Sequence, residues 1–360
     1  MIATVHQEIK SRNVTPCKIA IVGDAPTAAD ILNNEIFSES IGHELSNWLH
    51  VSDIHLNDCM QANVFSHKPI MDNIKRFYIG IRESKKLIKE HSDWNWPQYP
   101  ARTSYGYISK EHEHDIQRLA DEIKEANPNV ILALGSTALH VLTGQDKLNT
   151  HRGTVLISSE LFGKRKVVPT YHPSTVFRAW GNRSAALADV RKAVEESTQA
   201  HISKQRREIW LEPTLQDLHN YTTQYLEPIK GTTQPICFDI ETSKRGQITC
   251  VGIAPSAESA IVIPFVIQGG GNYWPSLVSE IKAWEWLASI LEDPSYNKLA
   301  HNATYDIMWL SMKVHINVRG NVEDTMLMQH ALQPEHKKSL GYLGSLYTNE
   351  QSWKALVKHD

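Results

Sequence analysis

Residues Lys18–Pro26 read KIAIVGDAP, and this stretch decides how the first half of the chain folds. Its apolar run ends in the turn sequence Gly-Asp-Ala-Pro, which is typical of a buried strand. Asn129–Ser136 (NVILALGS) and Lys166–Thr170 (KVVPT) have the same character, and the helical spacing of Lys110–Asn127 lies between the first two strands. Strands that alternate with helices predict an α/β fold, a largely parallel sheet covered on both faces.

The composition indicates a globular protein of two domains. The chain has 360 residues, of which 41% are hydrophobic and 21% charged, with a formal net charge of −3. Near-neutrality does not exclude a basic DNA-binding groove on one face. No apolar run reaches the length of a membrane span and the N-terminus has no apolar signal core, so we expect a cytoplasmic protein with no membrane partner. The four cysteines show no metal-binding or disulfide spacing.

A boundary is predicted where apolar periodicity stops. Residues 184–200 read as a closing helix, and the basic stretch HISKQRRE follows at 201–208. We therefore predict a first domain over 1–197, a linker over 198–232 and a second domain over 233–360. A DNA-facing basic patch is the alternative interpretation of that stretch.

The second domain has a different pattern. CFDIETS, QITCVGIAP and SAIVIPFVI follow one another after Pro235 with short turns, which predicts three strands in an antiparallel meander. Helical segments are predicted over Ile281–Leu291, Thr304–Met312 and Glu323–Ala331. This is an α+β arrangement.

Polar side chains follow the predicted parallel strands of the first domain. Asp24 follows the first strand, Asn63 lies in MQANVF, and His172 follows KVVPT; Phe37 is a plausible wall nearby. Because ligands bind outside the carboxyl ends of such strands, we expect these side chains to share one crevice. Each also has a plainer interpretation, with Asp24 as a helix cap, Asn63 as a turn residue and His172 as a loop histidine.

Six segments in order resemble the uracil-DNA glycosylase superfamily, most closely its thermostable bacterial and archaeal branches. They span about residues 17–195: GDAP with Pro26, Phe37 to Gly42, the Asn63 segment, ILALGSTA, Arg152-Gly153 and YHPS. The resemblance implies an α/β/α domain that binds a flipped-out base in a tight pocket.

The resemblance also implies a role for each residue. Asn63 would read the edge of uracil and Phe37 would stack on the base, beside Pro26. Asp24 would position the attacking water, and His172 would stabilise charge on the departing uracil. Ser174 would bind a phosphate.

The chain departs from the family pattern in two places. Thermostable-type members have Glu where Asp24 lies and Gly where Thr27 lies, so the shorter carboxylate puts water positioning in question. Iron–sulfur members carry a cysteine near Ser66 and His67, and here there is none. We therefore expect no iron–sulfur cluster.

CFDIETS places two carboxylates on one face of a predicted strand. Asp239 and Glu241 are two residues apart, so their side chains point the same way, about 6–7 Å apart along the strand. Paired carboxylates of this kind suit Mg²⁺ or Mn²⁺, which prefer hard oxygen ligands. Solubility charges on an edge strand are the alternative interpretation.

FDIET, HNATYD and EDTMLMQHAL resemble the DEDD-type 3′–5′ exonucleases, particularly the proofreading domains of family A DNA polymerases. The resemblance implies a ribonuclease-H-like mixed sheet, with Asp239, Glu241 and Asp306 as metal ligands and Asn302 near the substrate backbone. The third family motif, with Tyr or His four residues before an Asp, is not found. We therefore expect an incomplete exonuclease domain, and Asp360 is not assigned as the missing ligand.

The order of the two domains resembles the front part of certain bacteriophage family A DNA polymerases. This resemblance implies single-stranded or primer-template DNA as a partner, and a polymerase domain encoded downstream or on a separate chain. The alternative hypothesis is a catalytically weakened DNA-binding or polymerase accessory module.

Overall fold

The computed structural model describes residues 7–91, 96, 100–103, 105–202, 206–348 and 350. The chain divides into two compact units. The first unit comprises Met1–Ile202 together with Gly341–Asp360, and the second comprises Ser203–Leu340.

The first unit alternates strands and helices. Its elements are β1 (Ile19–Gly23), α1 (Ala28–Asn33), α2 (Glu39–His50), β2 (Met60–Asn63), β3 (Tyr78–Ile79), α3 (Ile81–Glu90), β4 (Tyr107–Ile108), α4 (Glu113–Ala126), β5 (Val130–Leu134), α5 (Gly135–Thr143), α6 (Leu148–His151), β6 (Leu156–Ile157), β7 (Lys166–Thr170), α7 (Pro173–Arg178) and α8 (Arg183–Glu196). Five of the strands form a sheet in the order β2-β1-β5-β7-β6, in which only β6 runs antiparallel to its neighbour. The predicted parallel sheet is confirmed.

Both faces of this sheet are buried. Ile19 and Ile21 of β1 belong to one apolar cluster with α2 and α8, whereas Ala20 and Val22 belong to another with α4 and α5. Successive side chains of a strand point to opposite faces, so a strand that is apolar at every position needs a helical layer on each side. The unit is therefore the predicted α/β/α sandwich.

The second unit is built on a mixed sheet. Its elements are β8 (Glu208–Trp210), α9 (Leu215–Tyr221), β9 (Pro235–Thr242), β10 (Ile248–Ala254), β11 (Ser259–Pro264), α10 (Leu277–Leu291), β12 (Asn297–Ala300), α11 (Ala303–Val314), β13 (Val322–Asp324), α12 (Thr325–Leu332) and the beginning of α13 (Leu340–Tyr347). The strand order is β13-β12-β9-β10-β11-β8, with antiparallel β9-β10-β11 and parallel pairs elsewhere. The predicted meander and the mixed sheet are both confirmed.

The stretch expected to be a linker contains regular structure. β8 pairs in parallel with β11, and α9 packs Leu218 and Tyr221 into the core of the second unit. The unit boundary falls at residues 202 and 203. At the other end, residues from Gly341 onward group with the first unit, although the exonuclease-like domain was expected to extend to residue 360.

The two faces of β9 differ clearly in burial. Phe238 and Ile240 are buried in the core, whereas Asp239 and Glu241 are exposed on the opposite face. The alternation predicted from CFDIETS is therefore present, and it leaves both carboxylates outside the core. Among the residues that the structure describes, no helix combines the length and apolar character needed to cross a membrane.

Candidate active sites

The ends of β1 and β2 place candidate site residues of the first unit side by side. Gly23 and Asn63 are register partners on adjacent parallel strands. A side chain at Gly23 would collide with Asn63 Oδ1, and its Cβ would lie 2.8 Å from Cε1 of the Phe37 ring. The glycine therefore lets the amide of Asn63 and the ring of Phe37 come together.

Asn63 has a buried atom with an unused hydrogen-bonding capacity. Its side chain is only 4% exposed, and Oδ1 has no hydrogen-bond partner among the described residues. Its backbone is fixed, because Arg118 Nη2 donates to Asn63 O at 2.8 Å and to Val64 O at 3.1 Å. A buried acceptor without a partner costs about 1–3 kcal/mol, so a ligand N–H that reaches it would recover this energy.

Phe37 lies beside Gly23 and has an unusual backbone conformation. Its φ of 50° lies in the left-handed region, which is uncommon for a bulky residue. A Cβ at Gly42 would collide with the carbonyl oxygen of Phe37, so only glycine allows this close approach. The spacing of Phe37 and Gly42 that the sequence singled out thus has a steric reason.

Asp24 lies beside the N-terminus of α5. The backbone N–H of Ala138 donates to Asp24 Oδ1 at 3.1 Å, and a Cβ at Gly135 would lie 3.1 Å from both carboxylate oxygens. Burial raises the pKa of Asp24 to about 6, against the lowering effects of the Ala138 N–H and of the Arg102 charge. Asp24 as a whole is half-buried. Pro26, two residues on, is buried.

Arg102 organises the helix start that faces Asp24. Its guanidinium donates to Asp146 at 2.8 Å, to Thr137 Oγ1 at 3.1 Å and to Ser136 Oγ at 2.5 Å. The hydroxyl of Tyr78 is also buried here, without a partner among the described residues. The sequence analysis missed this group, because Arg102 follows a segment with no apolar periodicity and its partners lie more than 30 residues away.

His172 caps α7 through its own ring. Ser174 N–H donates to His172 Nδ1 at 3.2 Å, and the Ser174 hydroxyl lies 2.8 Å from the same nitrogen. Because Nδ1 accepts this N–H, the ring proton belongs on Nε2. Burial lowers the pKa of His172 to about 4, an effect that Asp30 opposes and Arg178 reinforces, so the ring is neutral at pH 7. Ser174, predicted to bind phosphate, is engaged with His172 in this structure.

The second unit brings three carboxylates to one region. Asp306, in the first turns of α11, is buried, and its Oδ1 accepts the backbone N–H of Ile240 at 3.0 Å. Ile240 lies on β9 between Asp239 and Glu241. The three acidic residues that the sequence analysis predicted as metal ligands are therefore neighbours. Asn302, exposed directly before α11, lies four residues from Asp306.

The negative charges of these carboxylates repel one another. Burial and the nearby Asp239 and Glu241 charges raise the pKa of Asp306 to about 6, although the Ile240 N–H lowers it. Asp239 faces solvent, but surrounding protein atoms remove part of its hydration, and together with Glu241 they raise the pKa of Asp239. A bound cation would relieve this mutual destabilisation of the ionised carboxylates.

The donor set fits a divalent cation in charge and ligand type. All three groups are hard carboxylate oxygens, the ligands that Mg²⁺ and Mn²⁺ prefer. They are not gathered into a preformed cage, because no group of three or more His, Cys, Asp or Glu side chains placed to hold a metal ion occurs in the described parts of the chain.

Two family models match the chain in succession. The model described as the uracil DNA glycosylase superfamily matches residues 12–196, which is just over half of the chain. The model described as 3′-5′ exonuclease matches residues 216–358. The matches include both groups of side chains described above.

Two curated proteins are similar to different parts of the chain. A DNA polymerase of Bacillus phage SP01 is 23% identical over 259 residues, covering 64% of this chain and 27% of the polymerase. A type-4 uracil-DNA glycosylase of Thermotoga maritima is 38% identical over 79 residues, covering 21% of this chain and 40% of that enzyme. The matched part is less than half the length of either relative.

Solved structures that resemble part of the chain include RNase D of Trypanosoma brucei, with a TM-score of 0.27 and 17% identity, covering 35% of this chain and 40% of that one. The EXD2 exonuclease domain soaked in Mn and Mg has a TM-score of 0.27 and 14% identity, covering 36% of this chain and 61% of that one. At this level of similarity, the fold of the second unit rests on its own strand order. Because the glycosylase model matches more than half of its residues, the chain belongs to the uracil DNA glycosylase superfamily, and a 3′-5′ exonuclease domain follows its glycosylase domain.

Proposed function

We propose that the chain processes DNA by recognising uracil in its first unit and trimming 3′ ends in its second. The observation that carries the first activity is the buried, unpartnered Oδ1 of Asn63 beside the Phe37 ring. A side-chain amide offers an acceptor and donors together, which matches the N–H and carbonyl on the edge of uracil. Phe37 supplies the apolar face on which a flipped base stacks.

In this proposal Asp24 and His172 carry out the glycosylase chemistry. Asp24, ionised above its pKa of about 6, positions the water that attacks the sugar carbon. The neutral His172 donates its Nε2 proton in a hydrogen bond to the uracil oxygen on which negative charge develops, so it needs no protonated state. Ser174 supports this role by fixing the ring through Nδ1.

The segment after His172 provides a surface suited to DNA. Phe177 and Trp180 are 44% and 62% exposed, which is unusual for large aromatic side chains. Arg183 lies over the Trp180 ring at 5.2 Å. We propose that this segment wedges into the base stack beside the flipped nucleotide and that Arg178 contacts the backbone.

For the second unit we propose metal-dependent 3′–5′ exonuclease activity, on the observation that Asp306 binds the backbone of β9 between Asp239 and Glu241, whose charges raise its pKa. These three residues would hold Mg²⁺ or Mn²⁺, which supplies an activated water and stabilises the leaving oxygen of the phosphodiester. The exposed position of Asn302 is compatible with contact to the substrate backbone. The similarity to a phage DNA polymerase supports a partner polymerase domain, on the same or a separate chain, acting inside the cell.

The test offers the purified chain a 5′-labelled single strand with one internal uracil, with and without Mn²⁺. Alkali-dependent cleavage at the uracil without metal supports glycosylase activity. A metal-dependent ladder that shortens from the 3′ end supports the exonuclease. A bound strand with neither product would replace the enzymatic proposal with the accessory-module function.

A further inference from the structure

One carboxylate in the second unit serves the starts of two helices. Asp324 ends β13 and immediately precedes α12, where its Oδ1 accepts the N–H of Met326 at 2.8 Å. The same oxygen accepts the N–H of Asn302 at 3.0 Å, and Oδ2 accepts the N–H of Ala303 at 2.9 Å. Asp324 therefore caps α12 and α11 together.

The N-terminus of α11 depends on a hydrogen-bond acceptor from outside the helix. The residue before it, Asn302, adopts a left-handed φ of 64° and makes no side-chain cap bond to the helix. The first N–H groups of a helix have no partner within it, so they need an acceptor from elsewhere. Asp324 is that acceptor, and a second tie between the two helix starts joins His301 Nδ1 to Thr325 Oγ1 at 2.9 Å.

The hydrogen bonds from the start of α11 to Asp324 also fix the position of Asp306. Asp306 lies three residues after Ala303, within the first turns of α11, and its Oδ1 accepts the N–H of Ile240 on β9. A shift of the helix start would move Asp306 relative to the strand that bears Asp239 and Glu241. Asp324 therefore controls the distance of Asp306 from the other two carboxylates.

We propose that Asp324 is a positioning residue for the exonuclease site, which holds Asp306 at its working distance from β9 and does not itself bind metal. This inference rests on the proposed exonuclease function. Both of its oxygens are occupied by backbone N–H groups, which distinguishes Asp324 from the three carboxylates that repel one another. It is thus a poor candidate for a further metal ligand.

The test compares two variants with a matched control. Asp324→Ser keeps a hydroxyl that caps α12 but is too short to reach α11. Asp324→Asn places an amide donor against one of the backbone N–H groups in either orientation of its side chain. Asp217→Asn is the control, since Asp217 completes the cap of α9 in the same unit and has no link to the carboxylates.

Two readouts are measured on each protein: Mn²⁺ binding by electron paramagnetic resonance, and hydrogen exchange of the Ile240 amide in ¹⁵N-isoleucine-labelled protein. In both Asp324 variants we expect faster Ile240 exchange and Mn²⁺ affinity lower by about 10- to 100-fold, as for residues that orient metal ligands. Asp217→Asn is expected to match the unaltered chain in both measurements.

Unchanged Ile240 exchange in both Asp324 variants would overturn the inference, whatever happens to Mn²⁺ affinity. A fall in affinity with unchanged exchange would indicate that Asp324 itself binds the metal. If the unaltered chain binds no Mn²⁺ and trims no DNA, the proposed exonuclease function fails. The Ile240 exchange rates would then still decide whether Asp324 positions Asp306.

Discussion

Gly23 and Asn63 face each other as register partners at the ends of β1 and β2, and the missing side chain of Gly23 leaves the space that the Asn63 amide occupies. Gly23→Ala should therefore displace Asn63 and the Phe37 ring, lowering the free energy of unfolding by about 1–3 kcal/mol and abolishing uracil excision. Urea denaturation and an excision assay would measure both effects. Gly80→Ala, where the added methyl has open space, is the control; a fully active Gly23→Ala would contradict the proposed pocket.

Asn63→Ala should reduce uracil excision far more than it reduces the free energy of unfolding. Removing a buried acceptor that has no partner costs little stability, so the unfolding free energy should change by less than about 1 kcal/mol after the lost packing is included. Uracil excision should fall to background, because the base edge loses its hydrogen-bond partner. Asn57→Ala, at an exposed asparagine, should retain activity. Excision at the normal rate by Asn63→Ala would show that another residue reads the base.

Excision should depend on pH through Asp24. Because burial raises the pKa of Asp24 to about 6, its carboxylate is neutral below that pH and cannot activate water. Activity should therefore fall as pH drops through about 6, while His172, with a pKa near 4, stays neutral over this range. A midpoint near pH 4 in the rate profile would contradict the assignment to Asp24.

The same shift has a consequence for stability. A raised pKa means that the stabilising contribution of the group is present at low pH and lost as pH rises through about 6. Asp24→Asn should therefore raise the unfolding free energy more at pH 8 than at pH 5, relative to the unaltered chain. Denaturant titrations at the two pH values give the comparison.

Asp239→Asn should abolish metal-dependent shortening from the 3′ end. Loss of this proposed metal ligand should remove several kcal/mol of transition-state stabilisation, so the rate should fall on the order of 100-fold or more. Asp217→Asn, which alters the cap of α9 in the same unit, should remain active. Equal rates for the two variants would exclude Asp239 from the reaction.

Mn²⁺ should stabilise the chain by relieving repulsion among the carboxylates. We expect a melting temperature that rises with Mn²⁺ concentration and returns to its starting value with EDTA, because a ligand that binds only the folded state stabilises it. The double variant Asp239→Ala/Glu241→Ala should lose this response. A persistent Mn²⁺ effect in that variant would place the metal elsewhere.

The sequence predicted the elements whose signal is local. β5 is a continuous apolar run, β7 has the apolar centre Val-Val-Pro, and β9 shows a strict alternation. Strand type and facing therefore follow from a few adjacent residues. β8 could not be predicted in this way. It is a three-residue edge strand beside a basic stretch, and its pairing with β11, about 50 residues away, makes it a strand.

The site residues also differ in whether their sequence signal is local. Asp24, Asn63 and Phe37 lie in short segments with a recognisable order, and the structure places the side chains of Asn63 and Phe37 next to Gly23. Arg102 had no such signal, since its role depends on partners in α5 and the loop after it. The position of Asp324 directly before a predicted helix was a usable signal, because Asp is a common N-cap residue. The sequence analysis did not use it.

The two faces of β9 have a further consequence for how this domain changes over generations. Phe238 and Ile240 hold the core, whereas Asp239 and Glu241 contribute nothing to it. A substitution at either carboxylate leaves the packing of the strand intact, so natural selection can remove or restore the chemistry without dismantling the fold. The proposed chemistry of this face can therefore be lost or regained by a single substitution at Asp239 or Glu241 while the core of the domain stays intact.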